Sequence, residues 1–308
     1  MSKKEENAKN FLQKKFLNES EENSSEILSL SSKGSNEYMI IPLNNLPCGI
    51  FYKAGTKISI RGADVKEVQE YSVVDDKNYL DVTDKMNNIL KTCIRFTHPD
   101  GRIGSYKNIK DADRLYIIFM IRELTFPGGK NLSKEVTCHS CKNEFKIEFR
   151  ATSSDLKPRT FYNYEMPEKL TKFFDEYDKV YKITINDVDY EFAPPTIGLQ
   201  ESLFSDIKQK VQMDKNPNVS FLKIMPFIMH EKIDMKDDEI TKKLQEFGRI
   251  DMESFQVINQ FVNNMIFGIK ELKTECPSCR QEVYTDMTFP SGASSLFVIS
   301  DALEQYIG

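Results

Sequence analysis

Four of the six cysteines fall into two Cys-x-x-Cys pairs, Cys138/Cys141 and Cys276/Cys279, while Cys48 and Cys93 stand alone. A Cys-x-x-Cys turn aims two thiolates at one point about 2.3 Å from each, and a tetrahedral zinc needs two such turns facing each other. Each pair precedes a segment that alternates as a strand does. Val136-Thr137-Cys138-His139-Ser140-Cys141 leads to Phe145-Lys146-Ile147-Glu148-Phe149, and Glu275-Cys276-Pro277-Ser278-Cys279 leads to Val283 through Phe289. The matching halves predict one split zinc ribbon, with a single structural zinc per chain held by Cys138, Cys141, Cys276 and Cys279. An inserted subdomain of roughly 130 residues would part its halves, instead of the ~15–20 residues of a compact motif. Metal-free knuckles and redox chemistry are the competing readings. Against the second, neither pair opens a helix after a strand, as a thioredoxin-type site does. His139, between two ligands, is expected to be exposed and not a ligand.

Four thiolates close the coordination shell and leave no position for water or substrate, so such a zinc supports folding, not catalysis. No other catalytic constellation is legible: the sequence contains three His, no Gly-rich phosphate loop with its Lys, no His-Glu-x-x-His and no Gly-x-Ser-x-Gly. His98 and His230 are isolated. Asp75-Asp76, Asp111/Asp113 and Asp237-Asp238-Glu239 fall at turns or helix starts, where Asp serves as a cap. An enzyme, with a carboxylate such as Glu201 essential to it, is therefore not expected.

The 308 residues, 40% of them hydrophobic, suffice for two or three units with cores of their own, which excludes a disulfide-dense miniprotein. With 42 basic against 47 acidic side chains, the net charge of −5 argues against a general nucleic-acid or anionic-membrane surface. The longest strongly apolar run, Tyr116 to Ile121, is far short of the ~18–20 residues that span a bilayer. Grouped cysteines without a secretory start point to a soluble chain made in a reducing compartment.

Residues 1–38 are rich in Lys, Glu, Asn and Ser and read as a disordered charged tail; Phe11-Leu12 with Phe16-Leu17 could form a short docking helix. Residues 39–195 read as an αβ domain carrying the first knuckle. Lys57 to Arg61 alternates as a half-buried strand after a Gly55-Thr56 turn. A helix capped by Thr83 is expected through Cys93, and a second from Ala112 to Leu124, stopped by Pro127-Gly128-Gly129. Val180 to Thr184 and Asp189 to Phe192 predict a hairpin around Asn186-Asp187. Residues 196–270 read as a helical insert, with helices over 196–212, 219–230, 236–247 and 251–267, the last capped by Asp251 and ended by Gly268. Residues 271–308 would complete the ribbon. The class is therefore α+β, a discontinuous αβ body with an inserted, mainly helical subdomain. Cys93 lies on an apolar face as a core residue, and the apolar 221–229 stretch is to be buried in the core or by a partner.

Four stretches give this order a likeness. They are Leu46-Pro47-Cys48-Gly49-Ile50-Phe51-Tyr52 with Gly55-Thr56-Lys57-Ile58-Ser59-Ile60-Arg61; Asn88-Ile89-Leu90 and Cys93 with Ile109, Asp111, Asp113-Arg114-Leu115-Tyr116 and Ile121-Arg122; Phe192-Ala193-Pro194-Pro195-Thr196-Ile197-Gly198; and Ile266-Phe267-Gly268-Ile269 before Cys276. Over Leu46 to Phe289 the chain resembles the baseplate hub and baseplate-assembly proteins of T-even-type contractile-tailed phages. Cys48 stands where the resemblance leads one to expect Ser or another small residue. The resemblance implies a non-enzymatic role in building the tail baseplate, other tail and baseplate proteins as partners, no small-molecule substrate, and a place in the host cytoplasm during assembly or in the virion. The alternative is a zinc-ribbon nucleic-acid-binding protein. Its basic residues, Lys134, Lys142, Lys146, Arg150 and Arg280, are interleaved with Glu135, Glu144, Glu148, Glu275 and Glu282, which blunt the field.

Overall fold

In the computed structural model the described residues are 37–75, 77–126, 132–149, 161–162, 165–213, 219–265, 268–269, 272–285 and 296–297. The expectations for residues 1–36, Asp76, Pro127-Gly128-Gly129, Ile266-Phe267 and residues 286–289 lie outside them.

Strands β1 (Met39–Ile41), β2 (Lys57–Ile60) and β3 (Ile94–Thr97) form an antiparallel sheet in that order, with Ile41 opposite Ile58 and Ile60 opposite Ile94. The alternation read in β2 is real: Ile58 and Ile60 are buried while Lys57 is exposed, as period-2 side-chain placement requires. Helix α1 (Val65–Ser72) starts with a capping box between Asp64 and Glu67. Helix α2 (Tyr79–Cys93) starts four residues before the expected Thr83. Asn78 is its cap, accepting from the Leu80 and Asp81 N–H groups, and Thr83 is buried one turn inside. Helix α3 (Arg114–Thr125) is buried from Tyr116 to Ile121, so it runs through the core instead of over it.

After a single-turn helix α4 (Glu168–Thr171) come β7 (Phe174–Asp175), β8 (Val180–Ile185) and β9 (Val188–Phe192), a second antiparallel sheet. Its tight turn is Asn186-Asp187, both at positive φ (49° and 61°), the conformation a two-residue hairpin loop needs. Four helices follow, α5 (Ile197–Gln212), α6 (Val219–Ile228), α7 (Asp237–Phe247) and α8 (Met252–Asn264). Asp251 caps α8 through the Ser254 N–H, but the helix ends at Asn264, short of Gly268. Gly268 instead belongs to strand β10 (Gly268–Ile269) and pairs with Tyr162 of β6 (Phe161–Tyr162), so strand pairing takes the chain that helix periodicity would have extended.

One large core joins Ile58, Ile60, Leu90 and α3 to Tyr181, Phe192, Ile224, Ile258 and Phe261. Phe261 stacks on Phe192 with ring centroids 5.3 Å apart and meets Tyr181 edge-on at 5.9 Å, which locks α8 against β8 and β9. The described part of the apolar 221–229 stretch is core: Ile224 belongs to the large cluster, and Met225 and Met229 to a smaller one with Leu199, Leu203, Met235 and Ile240. Cys48 and Cys93 are fully buried.

Candidate metal centre

Two hairpins carry the cysteine pairs. In the first, β4 (Leu132–Thr137) pairs with β5 (Glu144–Phe149); in the second, β11 (Leu272–Glu275) pairs with β12 (Glu282–Thr285). Their turns are built alike, bond for bond. The Cys138 N–H donates to the Asn143 carbonyl and the Lys142 N–H to the Cys138 carbonyl, both at 2.9 Å; the Cys276 N–H donates to Gln281 and the Arg280 N–H to Cys276, again at 2.9 Å. Lys142 and Arg280 hold the same left-handed conformation, with φ of 60° and 59°. A non-glycine side chain at positive φ is disfavoured, so its recurrence at equivalent positions marks a conformation that the turn requires.

The knuckles face each other and bring the four Sγ atoms within 4.8 Å of one another. Cys138 Sγ lies 3.6 Å from Cys279 Sγ, and Cys141 Sγ lies 3.6 Å from Cys276 Sγ. Tetrahedral zinc with bonds of about 2.3 Å calls for sulfurs about 3.8 Å apart, which the two 3.6 Å cross distances approach, so the donor set is of a size that could hold such an ion. Cys138 and Cys276 are buried on a small floor of Val136, Phe145 and Val283, separate from the main core; Cys279 is half-buried and Cys141 exposed.

The thiols compete for protons. N–H groups of Cys141 and Ser140 draw Cys138 down, and those of Cys279 and Ser278 draw Cys276 down to about 6. Cys279 also feels the Gln281 N–H, but burial and three neighbouring sulfurs outweigh it and push it up to about 12. Four thiolates cannot share so small a volume without a cation, and a divalent ion removes that conflict. His139 is exposed and outside the cluster, as expected.

His98 lies edge-on to Phe96, and His230 is buried, its pKa brought to about 3 by burial and then by the nearby Lys110 and Lys53 charges. The Glu201 carboxylate accepts from Asn87 Nδ2 at 2.7 Å and from the Tyr106 hydroxyl at 3.0 Å, tying α5 to α2.

Asp113 overturns its expected role as a cap. It makes no capping bond to α3 and is wholly buried. Its Oδ1 accepts from the Cys48 N–H at 2.7 Å and its Oδ2 from the Tyr52 hydroxyl at 2.6 Å, while the Lys110 N–H donates to the Tyr52 oxygen at 2.9 Å. Close by, the Asp111 N–H donates to the Pro195 carbonyl and the Ile197 N–H to the Ile109 carbonyl, each at 2.8 Å. A Cβ on Gly49 would stand 2.0 Å from the Leu43 oxygen, and one on Gly198 would stand 2.2 Å from the Ile233 oxygen, so both positions require glycine. Three of the stretches that carry the family likeness thus meet at one buried joint. Their order along the chain was the only sequence signal of it.

The family model described as T4 bacteriophage base plate protein matches residues 48–292. Neither the curated proteins nor the solved structures searched returned a match. Among the described residues no helix is long and apolar enough to cross a membrane. A match over most of the chain, spanning both knuckles and the Asp113 joint, places this protein in the T4 bacteriophage base plate protein family.

Proposed function

We propose that the chain is a non-enzymatic subunit of the tail baseplate hub, or a factor that helps the hub assemble in the host cytoplasm. It acts through protein–protein contacts and holds one structural zinc on Cys138, Cys141, Cys276 and Cys279. Family membership gives the coarser statement, a structural role in the phage baseplate with other tail proteins as partners. The observation that carries the finer reading is the facing pair of like knuckles, whose four sulfurs lie within 4.8 Å of one another. A site of that kind fixes two distant hairpins relative to each other and offers no open position for a substrate. Around it Glu135, Glu144, Glu275 and Glu282 alternate with Lys142, Lys146 and Arg280, a mixed surface suited to protein partners more than to phosphate.

We also propose the chain layout of a tail over 1–38, an αβ domain over 39–195, a helical insert over 196–270 and a ribbon-closing segment over 271–308. The division is one of chain order and not of cores, since Ile258 and Phe261 pack with Tyr181 and Phe192. Quantitative mass spectrometry of purified particles beside infected-cell lysate tests the role. A fixed copy number in particles marks a hub subunit, presence in lysate alone marks an assembly factor, and salt-sensitive retention on DNA or RNA would overturn both.

A further inference from the structure

Resting on the metal reading above, we propose that the four cysteines form an oxidant-driven exchange site, in which the metal is replaced by two disulfides crossing between the knuckles, Cys138 with Cys279 and Cys141 with Cys276. The sulfurs of each cross pair are already in van der Waals contact at 3.6 Å. A disulfide requires about 2.05 Å, a closure that the hairpins can supply by moving toward each other as units, each kept intact by its own strand ladder.

Exposure sets the order of events. Cys141 is the exposed member of the cluster, Cys279 is half-buried, and Cys138 and Cys276 are shielded. A low-molecular-weight disulfide therefore meets Cys141 first. The Cys141 thiolate displaces one thiol from it and becomes a mixed disulfide; Cys276, 3.6 Å away, then displaces the second thiol. The second reagent molecule does the same at Cys279 and Cys138. Each cross pair gives up two electrons, each reagent leaves as two thiols after taking up two protons, and the metal leaves as the dication.

The products would close the same long loops as the metal does. The link between residues 138 and 279 spans 141 positions and that between 141 and 276 spans 135, so the ribbon stays joined when its ion is lost. Cys48 and Cys93, both fully buried in the main core, stay reduced.

The test uses the full-length, metal-loaded protein treated with oxidised glutathione, with released metal read by a chromogenic chelator, thiols counted after denaturation and bridges mapped by non-reducing peptide mass spectrometry. One metal released for every four thiols lost, a fall from six free thiols to two, and peptides joining 138 to 279 and 141 to 276 are expected. Bridges within a knuckle, a stable glutathione adduct on Cys141 with the metal retained, or metal release with all thiols intact would each overturn the proposal. A protein isolated without metal defeats the metal reading by itself, and the bridge map of that protein still decides the pairing. Bound metal with bridges inside the knuckles defeats the pairing and leaves the metal reading standing.

Discussion

Cys138 and Cys279 are 141 positions apart in sequence, yet their sulfurs lie 3.6 Å from each other. Among the described residues no strand pair joins the two hairpins that carry them; β4 pairs with β5 and β11 with β12. Between them lies the small Val136, Phe145 and Val283 floor, and the two-residue pairing of β6 with β10 draws together the chain that follows the first hairpin and the chain that precedes the second. A contact this distant must offset a loop-closure cost that a few partly buried side chains cover poorly, and a bound ion with four ligands can meet it.

Metal removal is therefore expected to act locally first. Elemental analysis should give about one zinc per chain, and Cys138→Ser or Cys276→Ser should abolish it. In hydrogen exchange, the amides of 132–149 and 272–285 should lose protection in a chelator while those of β2, β3 and α3 keep it, because the ribbon has a core of its own. Simultaneous loss across both regions would show that ribbon and body unfold as one.

Truncation at the buried joint should be costly. Asp113→Ala leaves the Cys48 N–H and the Tyr52 hydroxyl without their acceptor, a cost of about 2–6 kcal/mol at ~1–3 kcal/mol per buried orphan. Tyr52→Phe strands the Asp113 Oδ2 and the Lys110 N–H and should cost about 2–6 kcal/mol by the same reasoning. Urea melts measure both, and a change below ~0.5 kcal/mol for Asp113→Ala would contradict the joint.

The joint also carries a pH signature. Burial, against the pull of the Tyr52 and Cys48 donors, raises the Asp113 carboxyl from its ordinary 3.8 to about 7. The folded state then binds more protons than the unfolded chain over that interval, so this group's contribution to stability falls as pH rises from 3.8 through about 7. Asp113→Asn cannot titrate, and its stability deficit relative to the parent should shrink between pH 5 and 8. A constant deficit across thermal melts in that range would sink this assignment.

Glu67 has the opposite sign. Burial alone would raise it, but two Arg61 donors at 2.6 and 2.9 Å and the Asp64 N–H hold it down to about 2. Its contribution is fully present above its ordinary 4.5 and is lost as pH falls toward 2. Arg61→Gln should cost most near pH 7, and its deficit relative to the parent should shrink as pH falls from 4.5 toward 2; a deficit in thermal melts that stays constant across that window would contradict the pairing.

The start of α2 can be tested at one side chain. Asn78→Ala should cost about 1 kcal/mol and Asn78→Asp close to nothing, since only the first removes the acceptor for Leu80 and Asp81. Equal melting of the three proteins would move the cap elsewhere.

Features written in adjacent residues were legible from the chain alone. The Asn186-Asp187 turn, the Asp251 cap and the two knuckles rest on interactions spanning at most six residues, and the strand around Ile58 shows itself as an alternation within five, patterns that residue type largely dictates. The end of α8 was not, because Gly268 leaves the helical pattern to pair with Tyr162, more than a hundred positions earlier. The role of Asp113 was not, because an aspartate before a helix reads as a cap until the chain 61 and 65 positions upstream folds over it and removes water. The sequence alone determined that four sulfurs were available in two like turns. Only the tertiary structure decided that the turns face each other and that Asp113 is buried beneath Tyr52, since both depend on which distant segments exclude solvent together, a property of packing that no local spacing encodes.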